Sequence, residues 1–297
     1  MMQLSILIPT YNQSCIALVQ RLLEEIHQLS ISVEIRIADD LSRPEIQSIN
    51  QVMATWPHCH YHSTTENMGP ARIRNRLAAE ATGAYLLFLD ADTLPVSPHF
   101  IQSYWEERLP QGVVCGGFCY QRQKPASQCV LRYQYGIQVE EKKAAERQLQ
   151  PYARFIGMSF LIDRTSFQQV RFDETLHFGY EDAHFGLRLQ QQGISIRHID
   201  NPVYHLNMDS STDYLGKIRR SIQNVARHRE KLTSCVRLLQ WHAQIRQWHG
   251  EACVAHLFRL VRPLLERQLT SAHPWLPLFA AYKLGYLCLI SRDPQRG

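Results

Sequence analysis

Three short, mostly apolar runs near the start of the chain each end in a polar turn, and this repetition narrows the folds open to it. Leu4–Pro9 leads into Thr10-Tyr11-Asn12, Val33–Ala38 into Asp39-Asp40-Leu41-Ser42, and Leu86–Leu89 into Asp90-Ala91-Asp92-Thr93. Helical periods lie between them. Ile16, Val19, Leu22, Leu23 and Ile26 recur at helical spacing, with Ser14 as the predicted N-cap. A helix is predicted over Pro44–Trp56 and a short strand over Cys59–Ser63. Gly69-Pro70 opens a helix reaching Ala81, which Gly83 closes. Strands alternating with helices predict βαβ units and a parallel sheet. Parallel strands that end on one edge gather their loops into one crevice, where open α/β sheets take their ligands. No G-x-G-x-x-G follows any of these strands, so a dinucleotide-type phosphate loop is not supported.

Asp90 and Asp92 leave the end of a run that reads as a buried strand. Two carboxylates there are costly to bury without a partner. Their oxygens are hard ligands that suit Mg²⁺ or Mn²⁺, often shared with phosphates. A solvated strand-end turn fits the same residues.

Farther on, Ser97-Pro98 predicts a helix through Arg108 and Val113–Tyr120 a strand, with a bulge at Gly116-Gly117. Gln121–Pro151 reads as a polar, basic insertion beside the site, with a helix over Gln128–Gln148. Tyr133, Tyr135 and Tyr152 suit packing or sugar stacking. Strands are predicted over Phe155–Ile162 and Ser195–Ile199. A short helix covers Thr165–Val170, and another opens at Glu181-Asp182 and ends at Gly193. Beyond His205 the pattern becomes helical, around Leu215–Val225, Val254–Leu264 and Leu276–Ile290. The last of these is too short to span a bilayer comfortably and suits core packing better than an interfacial role.

The chain of 297 residues is 45% hydrophobic, enough for a sizeable core. Its eight cysteines form no C-x-x-C pair, which indicates neither a zinc site nor a disulfide framework and fits a reducing compartment. No basic segment precedes the first strand, so no signal peptide is expected. The charge is uneven. From Leu206 onward 14 Lys and Arg stand against 6 Asp and Glu, while the whole chain carries only +5. That basic third suits an anionic membrane surface, an anionic acceptor or simply a solvated face.

The stretches SILIPTYN, IADDLS, ENMGPARIRNRLAAEATGAYLLFLDADT and FGYEDAHFGLRL resemble, in order and approximate spacing, the family 2 glycosyltransferases of the GT-A fold. The resemblance covers about Leu4–His205. It implies a Rossmann-like, mostly parallel sheet flanked by helices over residues 1–205, with a helical extension over 206–297. The segment LRYQYG…AAERQLQPYARFIGMSFLIDR also looks like bacterial members that build surface polysaccharides, which implies a cytoplasmic site, on or near the inner face of the cytoplasmic membrane.

The resemblance further implies inverting transfer from a nucleotide-sugar, usually a UDP-sugar, to a glycan or lipid-linked hydroxyl, with Mn²⁺ or Mg²⁺. Pro9, Tyr11 and Asn12 would line the base pocket. Asp39 and Asp40 would contact base and ribose, in an order left open, and Arg74 would sit near the nucleotide. Asp90-Ala91-Asp92 matches the Asp-x-Asp motif, with Asp92 the more direct metal ligand. Asp182 matches the catalytic base, Glu181 would help bind the acceptor, and His205 would complete the metal site or serve as a structural histidine. Three positions depart from the pattern: Leu41 where Gly is frequent, Ser159 where Asn is common, and His184 where an acid often stands.

Two other classes compete. A nucleotidyltransferase on a similar sheet would need a Gly/Lys-rich phosphate loop after the first strand, and TYNQS is not one. A catalytically silent nucleotide- or sugar-binding module has no need of Asp182 beside Asp90 and Asp92. The basic third shows no nucleic-acid-binding motif, so no nucleic-acid partner is expected.

Overall fold

The computed structural model describes residues 2–123 and 125–292. Its chain divides into two compact units. The first comprises the residues up to Gln121 with Glu141–His177 and Glu181–Asn207; the second comprises Arg122–Glu140, Phe178–Tyr180 and the residues from Met208 on.

The first unit holds ten strands: β1 (Leu4–Thr10), β2 (Val33–Asp39), β3 (Cys59–Ser63), β4 (Tyr85–Leu89), β5 (Thr93–Pro95), β6 (Gly112–Cys115), β7 (Phe118–Cys119), β8 (Ser159–Asp163), β9 (Ser195–His198) and β10 (Val203–His205). Seven form one sheet in the order β3-β2-β1-β4-β8-β6-β9. β1, β2, β3 and β4 run parallel, and β8 is antiparallel to both β4 and β6. The fold is therefore the mostly parallel α/β sheet expected. The register sets Pro9 beside Ala38, Thr10 beside Asp39 and Leu7 beside Phe88, so the three polar turns leave the sheet on one edge. β5, β10 and β7 make a second, small sheet.

Apolar side chains on these elements close into one core, and phenylalanines dominate the part beneath the acidic residues. Phe88, Phe155, Phe160, Phe167, Phe172 and Phe185 are all buried in it. Phe172 stacks on Phe185 at 4.3 Å and Phe88 on Phe160 at 4.7 Å. Each such pair adds about 0.5–1.5 kcal/mol beyond area burial. Phe88 lies two residues before Asp90, Phe155 two before Gly157, and Phe185 three after Asp182. The cluster thus fixes the backbone from which the site projects.

Several local expectations shift. Cys15, not Ser14, occupies the N-cap of the Ile16–Ile26 helix, with no side-chain cap bond. The helix predicted from Ser97 to Arg108 is confined to Phe100–Glu106, where Glu25 accepts hydrogen bonds from the Ile101 and Gln102 amides at 2.9 Å. A buried carboxylate from a distant helix does the capping there, which no local sequence signal reports. Pro44–Trp56 is helical over Pro44–Gln51 and then tightens into a 3₁₀ turn over Val52–Thr55. The strand predicted over Val113–Tyr120 divides into β6 and β7 at Gly116-Gly117, where Gly117 takes a φ of +84° that few other residues tolerate. Gln128–Gln148 is not one helix. It is a 3₁₀ turn, the Val130–Tyr135 helix, a π turn over Gly136–Glu140, and the separate Ala144–Gln148 helix. It breaks where the chain leaves the Arg122–Glu140 segment of the second unit and re-enters the first.

The second unit is helical: Val130–Tyr135, Ser211–Arg227, Arg229–Leu232, Arg237–Gln247, Glu251–Leu269 and Leu276–Arg292. The Ser210 hydroxyl caps the Ser211–Arg227 helix by accepting from the Asp213 amide at 3.1 Å. The Leu276–Arg292 helix buries Phe279, Tyr282, Tyr286, Leu287 and Cys288, so it serves as core. Glu266 accepts from Tyr282 at 2.7 Å, Arg262 at 3.0 Å and Arg219 at 3.1 Å, which ties three helices of this unit together. No helix among the described residues is long and apolar enough to cross a membrane.

Candidate active site

The turns after β1 and β2 are knitted together. The Asp40 amide donates to the Thr10 carbonyl at 2.8 Å, the Asn12 amide to the Ser42 hydroxyl at 2.7 Å, and the Arg43 amide to Asn12 Oδ1 at 2.9 Å. Tyr11 stands exposed from this knot. Asp39 is fully buried; its Oδ1 accepts from the Ser42 amide at 2.7 Å and its Oδ2 from the Tyr61 hydroxyl at 3.1 Å. Asp40 accepts from the amides of Met68 at 2.6 Å and Gly69 at 2.8 Å, where the Gly69–Glu80 helix begins. A carboxylate on orphan amides at a helix start is stabilised by those bonds and by the helix dipole. Both aspartates therefore shape the turns, and each nucleotide contact expected of them has to share an oxygen already bonded to protein.

Asp90, Arg74 and Glu181 form the centre of the arrangement. Arg74 is buried; it donates to Asp90 Oδ1 at 2.5 Å and to the Pro70 carbonyl at 3.2 Å, and lies 3.9 Å from Glu181 Oε1. Its guanidinium sits over the Phe172 ring, 5.6 Å from the centroid. One cation thus serves a buried acid, Glu181, and a half-buried one, Asp90. It does not fully compensate them. Burial pushes Asp90 up to about 6, with Arg74 pulling the other way and Asp92 and Asp182 adding to the rise. Burial and then Asp182 push Glu181 up to about 7, again against Arg74. Glu181 Oε2 is buried with no hydrogen-bond partner among the described residues.

Asp182 follows on the first turn of the Glu181–Gln191 helix. Its Oδ2 accepts from the Gly157 amide at 3.0 Å, while Oδ1 is buried and has no hydrogen-bond partner among the described residues. The Asp90 amide bonds the carbonyl of Met158, the next residue, at 3.0 Å, so one backbone segment positions both acids. Ser159 lies in the floor: its hydroxyl meets that of Tyr104 at 2.7 Å. His184 Nδ1 stands 4.0 Å from Asp173.

The small sheet brings His205 to Asp92. β10 pairs with β5 so that His205 lies opposite Thr93. His205 Nε2 is 3.2 Å from Asp92 Oδ2, and Nδ1 is 3.3 Å from the Tyr120 hydroxyl. Two donors on neighbouring vertices of an octahedron with ~2.1 Å bonds stand about 3.0 Å apart, so this pair fits one divalent cation. Tyr120 would orient the ring from behind. Asp90, expected as a further ligand, has Oδ1 on Arg74 instead, and no three His, Cys, Asp or Glu side chains among the described residues are grouped to hold a metal. Asp92 and His205 would supply two protein donors to such a cation, a number that suits Mg²⁺ or Mn²⁺ shared with phosphates.

Sequence reasoning missed Gly157, Tyr120 and Tyr61. Each acts through a partner far along the chain, and nothing local marks them.

A family model, glycosyl transferase family 2, matches residues 5–171, more than half of the chain. The chain belongs to glycosyltransferase family 2. The match includes the Asp-x-Asp segment and ends before Glu181-Asp182. Among solved structures, the mannosyltransferase PcManGT from Pyrobaculum calidifontis, in complex with GDP-Man and Mn²⁺, aligns over 99% of this chain and 88% of its own, with a TM-score of 0.59 and 15% identity. TarS from S. aureus (residues 1–349), in complex with UDP-GlcNAc, aligns over 100% and 92%, with a TM-score of 0.51 and 15% identity. At such identities the likeness shows a shared glycosyltransferase GT-A fold. No curated protein sequence matches the chain.

Proposed function

We propose that the chain is an inverting glycosyltransferase that moves a sugar from a nucleotide-sugar, a UDP-sugar by preference, to a hydroxyl of a glycan or lipid-linked acceptor. The observation that carries this reading is Asp182: one oxygen is fixed by the Gly157 amide and the other is buried, with no hydrogen-bond partner among the described residues. A carboxylate held in this way is positioned to take the proton of an attacking hydroxyl. Attack from the face opposite the leaving diphosphate inverts the anomeric centre.

Asp92 and His205 would hold Mn²⁺ or Mg²⁺, which as a Lewis acid offsets charge on the leaving diphosphate. Arg74 keeps Asp90 and Glu181 in place. Pro9, Tyr11 and Asn12, on the loop braced by Asp39 and Asp40, would border the base. Glu181, raised to about 7, is in part protonated near neutrality, and its unpartnered oxygen suits a hydrogen bond to a sugar hydroxyl. That same value gives Glu181 a rival claim to be the base. Glu181→Gln and Asp182→Asn separate the two: the true base loses about 10²–10⁴-fold in turnover, and the other residue loses binding instead. Membership of the family sets the nucleotidyltransferase reading aside. The silent-module reading predicts nucleotide binding with no donor turnover in the unaltered protein. Anomeric configuration of the product, read by nuclear magnetic resonance, tests inversion.

A further inference from the structure

The Glu251–Leu269 helix turns apolar side chains outward. Leu257, Leu260 and Leu264 are 58%, 64% and 67% exposed. At 100° per residue they fall within an arc of about 60° on one face. Trp275, 59% exposed, follows the end of the helix, where its amide donates to Gln268 Oε1 at 3.1 Å. Of the exposed charges on the helix, Arg267 lies about 20° round from Leu260 and Arg259 about 100° round from it at the far border of the exposed face, with His256 between the two arginines. The two acids of the helix are tied up elsewhere. His242 Nε2 lies 2.8 Å from Glu251, and Glu266 is bonded to Arg219, Arg262 and Tyr282. The outward face is therefore apolar and cationic, with no acid on it.

We infer that this face is a docking surface for an anionic lipid bilayer, with the helix lying in the plane of the headgroups. An in-plane helix pairs Leu and Trp on one side with Arg at its border, and indole rings favour the membrane–water boundary. Arg259, Arg262 and Arg267 make the helix too polar to span. A second copy of the chain fits less well, because self-pairing would bring Arg259 and Arg267 toward the same cationic face. Phosphate-bearing headgroups complement those cations.

Flotation of the full chain with phosphatidylcholine vesicles, with and without phosphatidylglycerol, tests this. Binding is expected with the anionic vesicles, weakening at high salt. A Leu257→Ser, Leu260→Ser, Leu264→Ser variant should bind at least about tenfold less. Arg259→Gln with Arg267→Gln, at exposed positions that disturb no packing, should lose the preference for phosphatidylglycerol and keeps the test open if the leucine variant misfolds. Failure of the unaltered chain to float with anionic vesicles, or flotation indifferent to both variants, overturns the inference. A dimer that the leucine variant converts to monomer assigns the face to a second copy instead. Tight binding of polyglutamate without vesicle binding assigns it to an acidic protein.

Discussion

The Gly157 amide and the Asp182 carboxylate are fitted to each other: N–H to Oδ2 is 3.0 Å, and a Cβ at residue 157 would stand 2.5 Å from Oδ1. Only glycine permits this approach. Gly157→Ala is therefore expected to push Asp182 off position. Donor turnover should fall by about 10²-fold, the scale set by a misplaced catalytic group, with nucleotide affinity little changed. Steady-state kinetics beside nucleotide titration checks it, and unchanged turnover would show that Asp182 tolerates displacement.

Arg74 is itself buried and holds one buried acid, Glu181, and one half-buried acid, Asp90, so its removal should cost more than loss of a surface pair would. Arg74→Met leaves Asp90 and Glu181 without their cation, at a cost of about 3–5 kcal/mol. Both acids already lie above the ordinary carboxylate value, and loss of Arg74 raises them further. For a raised carboxylate the unfolded chain gives up its proton first. The stability lost to the substitution should therefore grow only as pH rises through about 6 to 7, where the acids of the unaltered protein ionise while those of the variant stay protonated, and level off above the variant's own higher values. Urea unfolding across that range checks both size and direction.

His198 offers a pH test outside the reactive groups. Its Nδ1 lies 2.7 Å from Arg147 Nη1 and its Nε2 3.0 Å from the Pro151 carbonyl, which suits a neutral ring protonated on Nε2. Burial, with Arg147 adding to it, pushes the ring down to about 4. Between about pH 6.5 and 4 the unfolded chain binds a proton that the native ring refuses, so stability declines on acidification across that window. Glutamine can accept from Arg147 and donate to Pro151. His198→Gln is therefore expected to remove a few degrees of the acid-dependent loss in melting temperature, measured by thermal unfolding at the two ends of the window.

Leu41 has a φ of +63° and is 44% exposed, so it carries backbone strain with little burial in return. Leu41→Gly should be neutral or stabilising by up to about 1 kcal/mol, since relief of strain outweighs the added freedom of the unfolded chain. Leu41→Val, β-branched in the same conformation, should destabilise by about 1–2 kcal/mol. Urea unfolding should rank Gly at or above Leu, and Leu above Val.

The sequence carried the sheet well because its strands are continuous apolar runs closed by polar turns: Cys59–Ser63 was placed to the residue, and Leu4–Thr10, Val33–Asp39 and Tyr85–Leu89 nearly so. It carried less where a partner lies far along the chain. Glu25 caps the Phe100–Glu106 helix across 76 residues, and the Gln128–Gln148 stretch breaks because its halves join different units. The acids of the candidate site are legible as motifs, but the partners each one takes are not. Asp90, Asp92 and His205 read as one metal set, whereas the fold gives Asp90 to Arg74 and leaves Asp92 with His205. Gly157 was invisible because its meaning lies 25 residues away in Asp182.

The metal reading has its own test. Asp92→Ala and His205→Ala should each weaken Mn²⁺-dependent binding of the nucleotide diphosphate by about 10–100-fold, leaving metal-independent binding in place. Thermal shift with nucleotide, with and without Mn²⁺, measures it.

The most direct measurement is donor turnover by the unaltered chain and by Asp182→Asn, over a panel of nucleotide-sugars with Mn²⁺, with nucleotide binding measured on the same preparations. Turnover of at least one donor by the unaltered chain is expected, with a loss of about 10²–10⁴-fold in the variant and binding retained. Equal turnover by the two would contradict the assignment of Asp182, and binding without turnover of any donor by the unaltered chain would contradict catalysis itself.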